Sequence, residues 1–268
     1  MPAQSLAQLV LALAIEHGHP GRSPYSYEPV PECGSDPVHA SCELKPSCAD
    51  DAPQCRAPKF SRPRGAWVRQ ESRETALFRF AKVATALSKT VKRLTSCTGE
   101  SRTNCEPIAW SGGERTLAIS ALTVVLHESG LREDIMFGHP PLGRGPAGEV
   151  CLMQVALDQV PLQASWLSPQ QRELIARQPQ RREQLARSLL GDSPQALDRC
   201  FEVGMRALAR ARRSCEGGGV PWETGMFSMY GSGRVCRVPQ IAETRTKTFR
   251  VLTAARPQLS AELAALLE

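Results

Sequence analysis

No C-x-x-C pair occurs in this 268-residue chain, which argues against a zinc ribbon or a thioredoxin-like redox site. No stretch approaches the roughly twenty consecutive apolar residues of a membrane-spanning helix, so no integral membrane segment is expected. Hairpin signals, runs of alternating strands, internal repeats and nucleic-acid motifs are also missing, which predicts a mainly α chain without a nucleic-acid partner. The step His127-Glu128 lacks the second histidine of H-E-x-x-H, because Leu131 stands where it belongs. Ser129 has His127 two residues before it, so there is no G-x-S-x-G elbow. Gly143-Arg144-Gly145 and Gly217-Gly218-Gly219 lack the lysine and the spacing of a phosphate cradle. These absences predict no metal, no nucleotide and no other cofactor.

What the chain does hold is cysteine. Cys33, Cys42, Cys48, Cys55, Cys97, Cys105, Cys151, Cys200, Cys215 and Cys236 make an even set of ten, which reads as a disulfide framework and therefore as an extracytoplasmic protein, periplasmic or secreted. Cys97 and Cys105, closing a short polar loop, are the first local pair to expect. A signal peptide is not clear. Residues 6–15 are apolar and Ala12-Leu13-Ala14 resembles a cleavage site, yet no lysine or arginine precedes them. An upstream start, another export route and an ordinary amphipathic helix all fit. The net charge of +6 suits an anionic partner such as a bacterial cell wall or a membrane surface. Its densest cluster, residues 206–213, reads as the solvated face of a helix.

A hydrophobic content of 41% suffices for one sizeable core plus an elaborated extension. Residues 18–63, rich in Pro, Ser, Asp and Cys, sustain neither helical nor strand periodicity. They predict an irregular, disulfide-pinned extension, with residues 1–66 as one unit and residues 67–268 as the main helical domain. In residues 71–94, Leu77, Phe80, Ala84, Leu87, Val91 and Leu94 recur at helical steps and predict one buried stripe with solvated Lys and Arg between. Further helical patterns cover residues 114–128, 169–190, 194–214, 221–230, 239–255 and 260–268, several with Pro at the first position. Residues 132–146 read as a loop.

Glu128 closes the apolar run 116–126, in line with Leu117, Ala121 and Val124. A carboxylate there is partly desolvated and meets the negative end of the helix dipole, and both effects favour its protonated form. A protonated acid near neutral pH can donate to a glycosidic oxygen. From spacing alone, a last-turn glutamate that swings into water fits equally well.

Three segments raise the first reading: Glu128-Ser129-Gly130, then Leu152-Met153-Gln154 beyond a Gly/Pro-rich loop, then Phe227-Ser228-Met229-Tyr230-Gly231. In this order they resemble the soluble lytic transglycosylase group of the lysozyme-like superfamily, whose pattern is Glu-Ser-Gly, Gly-Leu-Met-Gln and Ala-Tyr-Asn-x-Gly. The resemblance covers residues 110–240. Cys151 stands for the first Gly of the second motif, Gly231 for the Asn after Tyr, and the intervening loop is longer than usual. Cys151 as a disulfide partner would fix the Met-Gln turn by other means.

The resemblance implies a lysozyme-like helical domain over residues 67–268. It also implies a peptidoglycan lytic transglycosylase in which Glu128, as acid then base, cleaves the β-1,4 bond between N-acetylmuramic acid and N-acetylglucosamine to give a 1,6-anhydro product. Ser129, the backbone near Met153, Gln154 and Tyr230 would contact the glycan or orient the acid. The implied partners are peptidoglycan strands and, in some settings, a secretion, conjugation or phage apparatus. A second carboxylate among Glu133, Asp134, Glu149 and Glu223 would turn the reaction toward hydrolysis, and spacing selects none of them. A catalytically silent glycan-binding or assembly protein, and a cationic membrane-disrupting protein, are the alternatives from other classes.

Overall fold

The computed structural model describes residues 4–18, 26–29, 66–69, 73–96, 107–108, 110–138, 145 and 148–268. Most of the Cys-rich extension and the expected Cys97–Cys105 pair lie outside these residues. The chain is mainly helical. Helix α1 (Leu6–Gly18) is followed by strands β1 (Ser26–Pro29) and β2 (Ala66–Arg69), then α2 (Arg73–Ser96), α3 (Gly113–Glu128) and α4 (Glu133–Phe137). Strands β3 (Glu149–Val150) and β4 (Val155–Ala156) precede α5 (Val160–Gln163), α6 (Pro169–Arg177), α7 (Pro179–Arg187), α8 (Pro194–Cys215), α9 (Trp222–Ser232), α10 (Pro239–Ala254) and α11 (Ala261–Ala265).

Helices α1 and α3 form the centre. Residues 9–14 of α1 and 117–125 of α3 are buried without interruption, so each is buried on all sides where it crosses the core, the Ser120 and Thr123 hydroxyls of α3 donating to carbonyls four residues back. That decides against the amphipathic alternative for residues 6–15 and extends the burial of α3 beyond the line of Leu117, Ala121 and Val124. Leu9, Val10, Leu11 and Leu13 share one core cluster with Phe80, Leu87 and Val91 of α2 and with Leu117, Leu122 and Val124 of α3. Helix α1 therefore packs into the same core as residues beyond position 67. Strand β1 pairs antiparallel with β2 in the register Ser26↔Arg69 to Pro29↔Ala66, so a ladder joins the two sides of the expected boundary.

Around this centre, α2 buries more than the expected stripe. Arg79 is itself buried and donates to the Leu131 carbonyl at 3.0 Å. Arg93 bridges Asp198 and Glu202 of α8. The buried Arg79 and half-buried Arg93 guanidinia are thus tied to backbone and to acids, as partly desolvated cations must be. The expected single helix 169–190 is broken at Gln178, whose φ of −119° and ψ of 109° are extended. Pro179 forces that conformation on the residue before it and then starts α7. Ser168 opens α6 with a reciprocal capping box to Gln171.

Of the two short antiparallel ladders, one is a hairpin, against the expectation of none. The one at 149–156 is turned by Cys151-Leu152-Met153-Gln154, with Cys151 at φ 60° and Gln154 at φ 47°. Neither residue belongs to the usual glycine or asparagine turn code, which hides the hairpin from sequence reading. A disulfide from Cys151 to Cys200 ties this turn to α8, and Cys215–Cys236 ties the end of α8 to the chain after α9. Trp222 of α9 meets Trp110 and Phe249 edge-on, and the Arg212 guanidinium lies 4.2 Å from the Trp222 centroid. These contacts lock α8, α9 and α10 together. No helix among the described residues is long and apolar enough to cross a membrane.

Candidate active site

Helix α3 delivers Glu128 as its last residue, and the chain behind it turns sharply. The Ser129 and Gly130 amides both donate to the Val125 carbonyl, closing the helix. The Ser129 hydroxyl, itself buried, donates to Val125 O at 2.8 Å and accepts from the Leu131 amide at 3.3 Å. Ser129 therefore shapes the turn that aims the acid. Leu131 follows at φ 59°. Among the described residues, Leu131, Cys151 and Gln154 are the non-glycine positions with positive φ: Leu131 directly follows the Glu128–Gly130 segment, and Cys151 and Gln154 flank Leu152-Met153. Such backbone costs on the order of 1–3 kcal/mol per residue and clusters where a site must be held in shape.

The Glu128 side chain is 21% exposed and pairs with Arg245 of α10, itself 12% exposed. Burial pushes the Glu128 carboxyl above the usual carboxylate range, the Arg245 charge opposes the shift, and the negative charge of Glu149 adds to it. Of the four carboxylates that spacing left open, Glu149 is thus the one whose field reaches Glu128. Of the other three, Asp134 is fully buried on Arg132, Glu223 pairs with Arg250, and Glu133 keeps one carboxylate oxygen buried without a hydrogen-bond partner among the described residues. His127 packs against α10 through Thr248, with Nε2 2.8 Å from Oγ1. Burial first, then Arg245, lowers its pKa and favours the neutral ring.

The Met153–Gln154 turn reaches the same place through its backbone. Tyr230 of α9 donates from its hydroxyl to the Met153 carbonyl at 2.7 Å. Burial and the nearby Glu128 charge raise the Tyr230 pKa well above normal, so the phenol stays a donor. The Met153 side chain is fully buried and packs on Gly204 of α8, where a Cβ would meet Met153 Cε at 2.7 Å and Cβ at 2.9 Å. Gln154 turns its amide back on its own loop, Nε2 donating to Cys151 O at 2.9 Å alongside the backbone bond from its N–H.

Arg245 escaped the sequence reading. It sits in a polar stretch of α10 without a motif around it, and only tertiary packing brings it to Glu128. Gly231, already notable for its smallness after Tyr230, provides the room. A Cβ there would collide with the Arg245 guanidinium and come within 2.7 Å of Ile241 Cγ2. Arg245 also donates to the Phe227 carbonyl at 3.3 Å, which anchors it to α9. The assembled group is a half-dry acid with a cation on one oxygen, a second carboxylate in its field, and a tyrosine fixing the adjacent turn. Chemically, burial and Glu149 favour the protonated acid, and Arg245 can stabilise the carboxylate left after the proton is given away. No family model, curated protein or solved structure matches this chain.

Proposed function

We propose that the chain is a peptidoglycan lytic transglycosylase with a lysozyme-like helical domain, acting outside the cytoplasm, with Glu128 as general acid and base. The observation that carries this reading is the convergence of Glu128, the Met153–Gln154 turn and Tyr230 from three distant stretches of sequence. Burial and Glu149 favour the protonated acid, which donates to the oxygen bridging N-acetylmuramic acid and N-acetylglucosamine. Arg245 then stabilises the resulting carboxylate, which takes the proton of the muramoyl 6-hydroxyl as that oxygen attacks the anomeric carbon. The proton is returned and a 1,6-anhydro sugar forms without a carboxylate nucleophile. Gln154 and the backbone of the hairpin would border the glycan, with Met153 and Ser129 acting through the turns they hold. Two disulfides among the described residues favour an oxidising compartment.

Purified peptidoglycan tests the reading. Glu128→Gln should lower the lysis rate by roughly 10²–10⁴-fold while leaving glycan binding intact; unchanged lysis would overturn the assignment. Product mass separates the two chemistries, since hydrolysis adds one water to the released sugar. A second reading, a catalytically silent glycan-binding domain, draws on the Arg245 ion pair that occupies Glu128. It predicts binding without any lysis by the native chain.

A further inference from the structure

A separate cavity of about 270 Å³ opens between the α5–α6 stretch and α8. Its lining brings together Arg206, Arg210 and Arg213, which share one face of α8 at steps of four and three, with Arg172 of α6, Gln163 and Ser165. Sequence alone makes residues 206–213 a solvated face, but the fold turns three of these arginines into the wall of a concavity. No acidic residue is among the described residues that line it. The nearby Glu202 is buried and already held by Arg93, Arg206 and Ser165. Arg210 and Arg213 have no carboxylate partner among the described residues. Arg172 spends one Nη on the Ala164 carbonyl at 3.0 Å and leaves its Nε–H buried without an acceptor. Buried donors are normally satisfied, so this one lacks a group that an incoming anion would supply.

We propose that this cavity binds a phosphate-bearing anion. A carboxylate offers two oxygens in one plane and satisfies one guanidinium fork, whereas a tetrahedral phosphate offers oxygens to forks arriving from two helices at once. The space is several times the roughly 30 Å³ share of one water molecule, enough for a phosphate with an ester substituent. Phospholipid headgroups and soluble phosphate esters both carry this chemistry.

Calorimetric titration of the full chain with pyrophosphate tests the proposal. Arg210 and Arg213 are exposed on α8, so Arg210→Ala/Arg213→Ala should keep the native melting transition. Removing even one charge-assisted bond should weaken pyrophosphate binding by about 10-fold or more. Citrate, of comparable charge but without phosphate, should bind at least as much more weakly, and Arg177→Ala/Arg181→Ala on the neighbouring surface should bind as the native chain does. Native affinity in the Arg210/Arg213 variant, equal binding of citrate, or equal weakening in the Arg177/Arg181 variant would overturn it. Phosphatidylglycerol against phosphatidylcholine vesicles, and soluble glycerol phosphate, identify the source by which binding depends on Arg210 and Arg213. Dependence in neither also overturns the proposal.

Discussion

Replacing Gly204 by Ala is a small change that reaches the candidate site through packing alone. Gly204 lies in the middle of α8, where Ala is intrinsically better by about 1 kcal/mol. The new Cβ would meet Met153 Cβ at 2.9 Å and Cε at 2.7 Å. The flexible Met tip can rotate, but its Cβ cannot retreat. The turn that carries it is tied by Cys151–Cys200 on one side and by the Tyr230 hydroxyl on the Met153 carbonyl on the other. Overpacking a rigid core costs about 1–3 kcal/mol, and this geometry belongs at the upper end. Subtracting the helix gain leaves about 2 kcal/mol of destabilisation, a fall in Tm of roughly 4–8 °C for a chain of this size. Calorimetry measures it. Peptidoglycan lysis should fall as well, because the Met153 carbonyl moves off Tyr230. In a Gly204→Ala/Met153→Ala double variant the losses should sum to less than the two singles, the Ala methyl filling part of the space Met vacates. A rise in Tm with lysis unchanged, as for an ordinary helical Gly→Ala, would refute the packing argument.

Two titrations follow from the site and its support. Lysis that needs protonated Glu128 should lose activity on its alkaline side. Arg245→Ala should move that limb to higher pH and Glu149→Gln to lower pH, because the first charge opposes and the second assists protonation; a pH–rate profile with the order reversed would count against the assignment. Glu202 has its pKa lowered: burial alone would raise it, but the hydrogen bonds from Ser165 and the charge of Arg93 outweigh burial. Its stabilising contribution is therefore complete above the ordinary carboxylate value of about 4.3 and is lost as pH falls through the lower folded value. Glu202→Gln should cost about 3–5 kcal/mol at neutral pH and flatten the acid side of the urea-stability profile. An acid slope identical to the native chain would show that another group governs it.

The helices were legible where apolar spacing or a first-position proline marks them. Helices α2, α8, α9 and α10 lie close to their expected spans, and the break at Pro179 was legible too, had the residue before it been weighed. The burial of α1 and α3 on all sides was not, since a mostly apolar segment has no face of its own until neighbours surround it. Tyr230 and the Met153–Gln154 turn stood out as motifs, whereas Arg245 and Glu149 had only their chemistry to recommend them. The hairpin escaped notice because Cys151 and Gln154 occupy turn positions usually given to glycine or asparagine, held there by a disulfide and by hydrogen bonds that form only on folding.

Local chemistry thus determined which segments become helical and put an acid at the end of an apolar one, because periodicity and helix termini depend on residues a few positions apart. Tertiary structure alone decided which charges surround that acid. Arg245 and Glu128 are separated by 117 positions, and electrostatic fields act through space, so no spacing rule along the chain records which cation or carboxylate arrives beside the other.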